Sequence, residues 1–450
     1  MKPPSRPKRA DTGARGARPP QREPARARPD LQDPNEEELP PLPPKKREAL
    51  SNVGGPVRLE GSNAELGRVL QLALAVTSAR EDVLAHVHGF HSYPAKLHPV
   101  TARELIAGLS RPGALVLDPF CGSGTVLVEA RLLGRPALGV DANPLAIELA
   151  NLKAGVSAGF NAQDAAALAA AAAAVSEHAE TRRLAKAGPT HRYGPKDRDA
   201  FDTHVLLELD GLRNGIDELE LGDAHRRALL LVLSSLLTKV SRKAGDTSEE
   251  HVPRRLAGGY VIRLFEKKAR ELGERLAAFA AILPPRAPEP RAGVGDARHL
   301  DAVKASSVDL VVSSPPYAGV YDYHEHHVTR LRWLGLDDRT FELREVGSRR
   351  KLSPLPFARA LGAWERELSA FLAELARVLA PRGLAALVIA DSVLGERPVW
   401  AKDLIDRLAP RVGLVRVASA SQERPHFHRG SARAFEDRAR EEHVIVLGRS

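Results

Sequence analysis

The sequence predicts an α/β fold. We expect a seven-stranded, mostly parallel sheet with an antiparallel last strand, flanking helices and a helical insertion. Three observations predict it. Short, nearly all-apolar runs such as Leu115–Leu117 and Val308–Val312 lack polar alternation, as strands buried on both faces of a parallel sheet do. These runs alternate with longer segments of helical period, the order of a sheet wound with helices on both faces. Between about residues 156 and 290 the strand pattern stops and only helical periods remain.

The 450 residues, 43% of them hydrophobic, can hold one large domain with insertions, or two domains. Residues 1–50 read as a disordered tail. Proline recurs, basic residues such as Lys8, Arg15 and Arg26 are unpatterned, and large apolar side chains are too few to offset the entropy of ordering. Such a tail is a solvated extension or an electrostatic tether to DNA. The net charge of +9 and a pI near 9.7 favour a polyanionic partner. Cys121 is the sole cysteine, which excludes a disulfide framework within the chain and fits a reducing compartment. It also excludes chemistry that needs a second cysteine nucleophile. No run reaches the length of a membrane-spanning helix, and MKPPSRPKRA lacks the apolar core of a signal peptide. A soluble, cytoplasmic protein with no membrane partner is expected.

Residues 51–155 form the first half of the sheet. Leu66, Val69, Leu70, Leu72 and Leu74 set a helical period, and Pro94 and Pro99 then hold HVHGFHSYPAKLHPV extended before a helix that includes Ala102–Leu109. The irregular spacing of His86, His88, His91 and His98, with no cysteine partners, argues against a metal. In ALVLDPFCGSGTVLVEA, a strand meets a sharp turn at Gly122 and Gly124, then a helix over Thr125–Leu132. A phosphate loop would need Gly-Lys-Ser/Thr, but Thr125 and Val126 follow Gly124. Asp118 beside the turn suits a cationic ligand without phosphate. Asp141 ends the next strand at about the twenty-residue spacing at which such folds bind ribose hydroxyls, or it caps the following helix. Asn143 and Pro144 would border an adenine.

Residues 156–290 read as the inserted helical module. The alanines from 165 to 174 suggest a solvated helix or linker, Ala228–Leu237 a buried helix, and Tyr260, Leu264, Leu272, Leu276 and Phe279 one face of another. A sheet alone cannot select a base sequence, so this module is the candidate for target recognition.

Residues 291–450 complete the sheet. Helices are expected at Trp364–Leu379 and Ala401–Leu408, and strands at Leu384–Ile389, Val412–Val417 and His443–Leu447. The short gap before the last run favours an antiparallel strand. The informative element is VDLVVSSPPY. Pro315 and Pro316 remove two backbone donors, leaving free carbonyls at the strand's carboxyl end, where open α/β sheets bind ligands. Such acceptors suit an exocyclic amine. Ser314 Oγ and the Pro315 carbonyl can take its two hydrogens and favour the pyramidal nitrogen needed for attack. Tyr317 can stack on the ring of a flipped base. Beyond it, Tyr321, Tyr323 and Trp333 interleave with Arg330 and Arg332, a mixture suited to bases and phosphate. His324, Glu325, His326 and His327 lack the spacing of a zinc helix, and the basic run Arg344–Lys351 is a solvated or a DNA-facing loop.

The SPPY string resembles the (Asp, Asn or Ser)-Pro-Pro-(Tyr or Phe) motif of the site-specific DNA amino-methyltransferases, in which Ser is usual for cytosine-N4 enzymes. The segment with Phe90, Tyr93, Pro94, Lys96 and Pro99 resembles the stretch ahead of that family's cofactor loop, and the similarity covers about 86–155 and 291–450. The resemblance implies a Rossmann-like, seven-stranded methyltransferase sheet with S-adenosyl-L-methionine as cofactor. It implies binding through Phe90, Lys96, Asp118, Phe120, Gly122, Gly124, Thr125, Asp141, Asn143 and Asp296, the last toward the cofactor's adenine amine. Catalysis would fall to Ser314, Pro315, Pro316 and Tyr317, with no metal. Double-stranded DNA with a flipped base is the implied substrate, RNA ranks behind it, and a cognate restriction endonuclease is an admissible partner. Adenine N6 is the nearest rival target. RNA guanine-N2 methylation and a non-enzymatic nucleic-acid binder are the alternatives from other classes.

Overall fold

The structure, a computed structural model, describes residues 55–61, 63–75, 83–243, 250–252, 255–424 and 433–450. The tail expected at residues 1–50 lies outside the described residues. The first half comprises β1 (Arg58–Glu60), α1 (Ala64–Leu74), a 3-10 turn at His86–Gly89 and α2 (Pro99–Leu109). It continues with β2 (Val116–Asp118), α3 (Thr125–Leu132), β3 (Ala137–Asp141) and α4 (Pro144–Ala154). Helices α5 (Ala162–Leu184), α6 (Pro195–Ala200), α7 (Thr203–Glu218), α8 (Asp223–Val240) and α9 (Tyr260–Ala281) follow. The second half opens with β4 (Arg291–Val294), β5 (Val308–Ser313), α10 (Tyr323–Leu334), α11 (Arg339–Arg344), α12 (Arg349–Leu352) and α13 (Phe357–Val378). It closes with β6 (Leu379–Ala390), the small hairpin β7 (Ser392–Leu394) and β8 (Arg397–Val399), α14 (Ala401–Leu408), β9 (Leu414–Glu423) and β10 (Glu441–Arg449).

The main sheet runs β1-β9-β10-β6-β5-β2-β3-β4. Strands β2 to β6 are mutually parallel, whereas β10 is antiparallel to both β6 and β9, as the short final connection suggests. It has eight strands rather than seven. The additional one, β1, is three exposed residues long and antiparallel to β9, too short and too polar to carry an apolar pattern. Strand β6 also begins earlier than expected, with Pro381 and Gly383 inside it rather than ahead of it. The parallel register sets Val116 beside Leu310 and Leu117 beside Val311, so the carboxyl ends of β2 and β5 finish side by side.

The alanine run is not a solvated linker. It lies in the 23-residue helix α5, whose Leu168, Ala172, Val175 and Ala179 are buried in one core with α7, α8 and α9. Small side chains let the backbones approach. A β-carbon on Gly273 of α9 would sit 3.1 Å from Ala165 Cα, and one on Gly211 of α7 would sit 3.3 Å from Ala179 Cα. Composition suggested solvation because alanine carries little hydrophobic signal, yet close helix contact needs small residues. Helix α9 buries Val261, Phe265, Ala269, Leu272, Leu276 and Phe279, while Tyr260 is 39% exposed and off that face.

Of the residues read as nucleic-acid contacts, Trp333 and Arg330 belong to the interior, and the exposed Arg332 is tied to it by an ion pair. Trp333 is 2% exposed, donates from Nε1 to Asp197 at 3.1 Å and stacks on Tyr193. Arg332 pairs with the same carboxylate at 2.6 Å, and Arg330, 1% exposed, donates to Thr238 Oγ1 at 3.0 Å. Burial of Arg330 without a partner would be costly, and both arginines bond α10 to the helices before it. The last three basic residues of the run bond locally: Arg349 pairs with Asp322 at 3.1 Å, Arg350 with Glu342 at 2.6 Å, and Lys351 donates to the Glu342 carbonyl at 2.7 Å.

If α5 is a core helix, Ala172→Glu, at a fully buried position, lowers stability by roughly 3 kcal/mol. Ala173→Glu, at the exposed neighbour, changes it by less than about 0.5 kcal/mol. Urea unfolding of the two variants measures the difference.

Candidate active site

The site lies at the carboxyl ends of β2, β3 and β5. Gly122 and Gly124 adopt left-handed φ values of +48° and +87°, turning the chain from β2 into α3. A β-carbon on Gly124 would also meet Ala150 Cα at 2.9 Å, so glycine is required there by both conformation and space. Above the turn, Asp141 accepts from the Gly122 and Asn143 amides, each at 2.8 Å. Asn143, not Asp141, caps α4 by accepting from Leu145 N at 3.0 Å, and its amide donates to Tyr93 Oη at 3.2 Å.

The β5 end is tied to the β2 end by a buried hydrogen bond of 2.6 Å from Ser313 Oγ to Asp118 Oδ1. Asp118 also accepts from Phe120 N at 3.1 Å. Burial pushes the Asp118 carboxyl up to about 7 and Asp141 to about 6, against the opposing effect of these hydrogen bonds. Among the described residues, neither has a salt-bridge partner. Burial lowers the Lys96 ammonium, which donates to the His88 carbonyl at 3.2 Å.

Three cavities meet at the SPPY turn. The largest, about 400 Å³, is lined by Lys96, Thr125, Ser314, Pro315 and Tyr317, and by Tyr321, Tyr323, Arg424, Arg440 and Glu442 among others. A second, about 70 Å³, lies between Phe120, Gly122, Asp141, Pro316 and Tyr323. A third, about 30 Å³, lies between Lys96, Asp118, Phe120, Gly122 and Thr125. Ser314 lines all three, and Tyr93 lines both small ones.

Not every expected residue reaches these spaces. Phe90 is packed in the core at 5% exposure, edge-on to His91, and lines none of the three. Asp296 also lines none: Arg298 grips its carboxylate at 2.7 and 2.9 Å, and Ala297 takes the place at the wall. Gly124 and Asn143 act from behind, through the turn and the helix cap. Sequence reading missed Arg424, Arg440 and Glu442, because only the antiparallel insertion of β10 brings its first residues to this edge, with Glu442 level with Ala390 of β6. Of the histidines, His86, His88 and Glu129 bring ligand-type atoms within 4.8 Å of one another, while Arg103 pairs with the same Glu129 carboxylate at 2.8 Å.

Residues 24–152 match the N6/N4 methyltransferase family model, described as DNA methylase. The type II methyltransferase M.MjaII of Methanocaldococcus jannaschii is 34% identical over 82 residues, 18% of this chain and 15% of the relative. The type II methyltransferase M.EcaI of Enterobacter cloacae is 43% identical over 49 residues, 11% of each chain. The chain therefore aligns with only a small part of the curated relatives it matches. Among solved structures, the rRNA methyltransferase aviRa of Streptomyces viridochromogenes aligns over 84% of this chain and 96% of its own, at 15% identity and a TM-score of 0.32. The glycine turn, the acid that ends the next strand and the mostly parallel α/β sheet define a nucleotide-binding type of α/β fold. Over these stretches the chain is similar to DNA amino-methyltransferases, and S-adenosylmethionine is the cofactor that similarity indicates.

The residues present fit that group. A buried carboxylate, Asp118, and a half-buried one, Asp141, both without a paired cation, favour a ligand carrying positive charge, and the glycine turn admits close approach to the backbone. Asp118, Gly122 and Thr125 would hold its amino acid end, Asp141 and Phe120 its nucleoside.

A carboxyl whose folded value lies above its unfolded value costs stability as pH rises, here between about 4 and about 7 for Asp118. Ligand-free Asp118→Asn is therefore expected to match the wild type near pH 4 and to melt higher than it at pH 8. Thermal melts of both proteins across this range measure the effect.

Proposed function

We propose that this protein is an S-adenosylmethionine-dependent DNA methyltransferase that modifies an exocyclic amine, cytosine N4, of a base flipped out of the duplex. The observation that carries the reading is the position of Ser314, which borders the two small cavities over the glycine turn and the large cavity beyond it. A group held at this lip faces both spaces at once. The bound cofactor supplies an electrophilic sulfonium methyl.

The protein's part is positioning and hydrogen bonding. An aromatic amine is a weak nucleophile because its lone pair is shared with the ring. Ser314 Oγ and the Pro315 carbonyl accept its two hydrogens, which concentrates the lone pair on nitrogen and directs it away from the acceptors. The Tyr317 ring lines the large cavity, where it can stack on the base. No covalent enzyme intermediate is needed, in keeping with a lone, buried Cys121. Cytosine is favoured over adenine by the serine of the SPPY string. Helices α5–α9 are the proposed sequence-reading elements, since the strand ends are taken up by cofactor and base. A cognate nuclease would be the functional partner.

Nucleoside mass spectrometry of DNA and RNA incubated with the enzyme and labelled cofactor tests the assignment, with N4-methyldeoxycytidine as the expected product. Ser314→Ala should lower kcat by about 100-fold, the scale of losing one transition-state hydrogen bond. Tyr317→Ala should weaken use of DNA while calorimetric cofactor binding stays unchanged. Exchanging residues 156–290 for those of a relative with another specificity should move the modified sequence. An unchanged site would rule out recognition by the helices.

A further inference from the structure

The large cavity has a second polar wall that the methyl-transfer reading leaves unused. Arg424 closes the β9 strand end, and Arg440 and Glu442 flank the start of β10. Because β10 is antiparallel, its first residues lie at the same sheet edge as the last residues of β5, with β6 between them. Glu442 Oε2 accepts from Arg424 Nε at 2.9 Å and Nη2 at 2.8 Å, and Arg424 is 5% exposed. Arg440 is fixed by its Nε, which donates to the Asp391 carbonyl at 3.0 Å, and its terminal nitrogens show no hydrogen bond to the described residues. Tyr317 lines the same cavity as Arg424, Arg440 and Glu442.

The two walls, Ser314, Pro315 and Tyr317 on one side and Arg424, Arg440 and Glu442 on the other, line one cavity of about 400 Å³ that has room for a flipped base. With the amine at Ser314 and Pro315, cytosine turns its ring nitrogen and 2-carbonyl, two acceptors, toward the opposite wall. Two guanidinium groups and one carboxylate leave that wall with a net positive charge and donors. Adenine in the same pose has a C–H where cytosine has the carbonyl, so a buried donor would lose its partner.

Resting on the proposed methyl-transfer reading, we infer that Arg440 is a specificity-determining residue that donates to the acceptor edge of the target cytosine, with the Arg424–Glu442 pair as the positioning element that holds the wall in place. The site selects cytosine through this wall as well as through the SPPY turn.

The test uses the full chain, unmodified genomic DNA as the probe and labelled S-adenosylmethionine, with mass spectrometry of both N4-methyldeoxycytidine and N6-methyldeoxyadenosine. The wild type should form the cytosine product. Arg440→Met should lower its kcat/KM by about 10- to 100-fold, the discrimination a good base-edge contact supplies. It should also raise the share of adenine product and leave cofactor affinity by calorimetry unchanged. Arg440→Lys, which keeps a donor, should retain most of the cytosine activity. Wild-type cytosine rates in Arg440→Met, or an adenine product from the wild type, would overturn the inference while leaving methyl transfer intact. Loss of cofactor binding in both variants would make Arg440 a structural residue and overturn it too. No methylated nucleoside from the wild type would instead remove the underlying functional reading.

Discussion

A single buried hydrogen bond, from Ser313 Oγ to Asp118 Oδ1, joins the two strand ends on which the site is mounted. Strand β2 leads into the glycine turn and β5 into the SPPY turn, and both leave the sheet within a residue or two of this contact. The parallel register brings them side by side, and the hydrogen bond fixes the relative height of two loops that come from positions almost 200 residues apart in the chain. In a low-dielectric interior such a bond is strong, and removing one partner would leave the other without compensation. The shared border of the three cavities at Ser314, the next residue along, follows from this junction.

The charge arrangement around the junction points to a ligand. Among the described residues, several buried or half-buried carboxylates are paired with a cation. Glu129 takes Arg103 and His88, Asp197 takes Arg332 and Trp333, and Asp296 takes Arg298. Asp118 and Asp141 receive only hydroxyl and amide hydrogens, so burial raises both. The scaffold tolerates that cost at the place where a positively charged ligand would remove it.

The segments legible in the sequence are those whose chemistry is local. The glycine turn was readable because left-handed conformations demand glycine, and helix α3 begins and ends at the residues its apolar period predicts. The acid that ends β3 was readable from spacing, although its partners turn out to be backbone amides, and Asn143 supplies the helix cap. Residues whose role depends on packing were misread. Trp333, Arg330 and Arg332 carry the composition of a nucleic-acid surface but link α10 to the preceding helices, the first two from buried positions. The alanine run has too weak a hydrophobic signal to announce that its small side chains are what allow α5 to approach α7 and α9.

The sequence by itself determined the α/β class, the antiparallel last strand, the glycine turn and the proline exit from β5, because strand composition, glycine stereochemistry and the missing proline donors act within a few residues. Only the tertiary structure decided which distant side chains share a cavity. It excluded Phe90 and Asp296 from the three cavities and brought Tyr93, Arg424, Arg440 and Glu442 to their walls. Strand order and direction are long-range properties, and an antiparallel strand inserted between β6 and β9 carries its first residues to an edge that no local pattern marks.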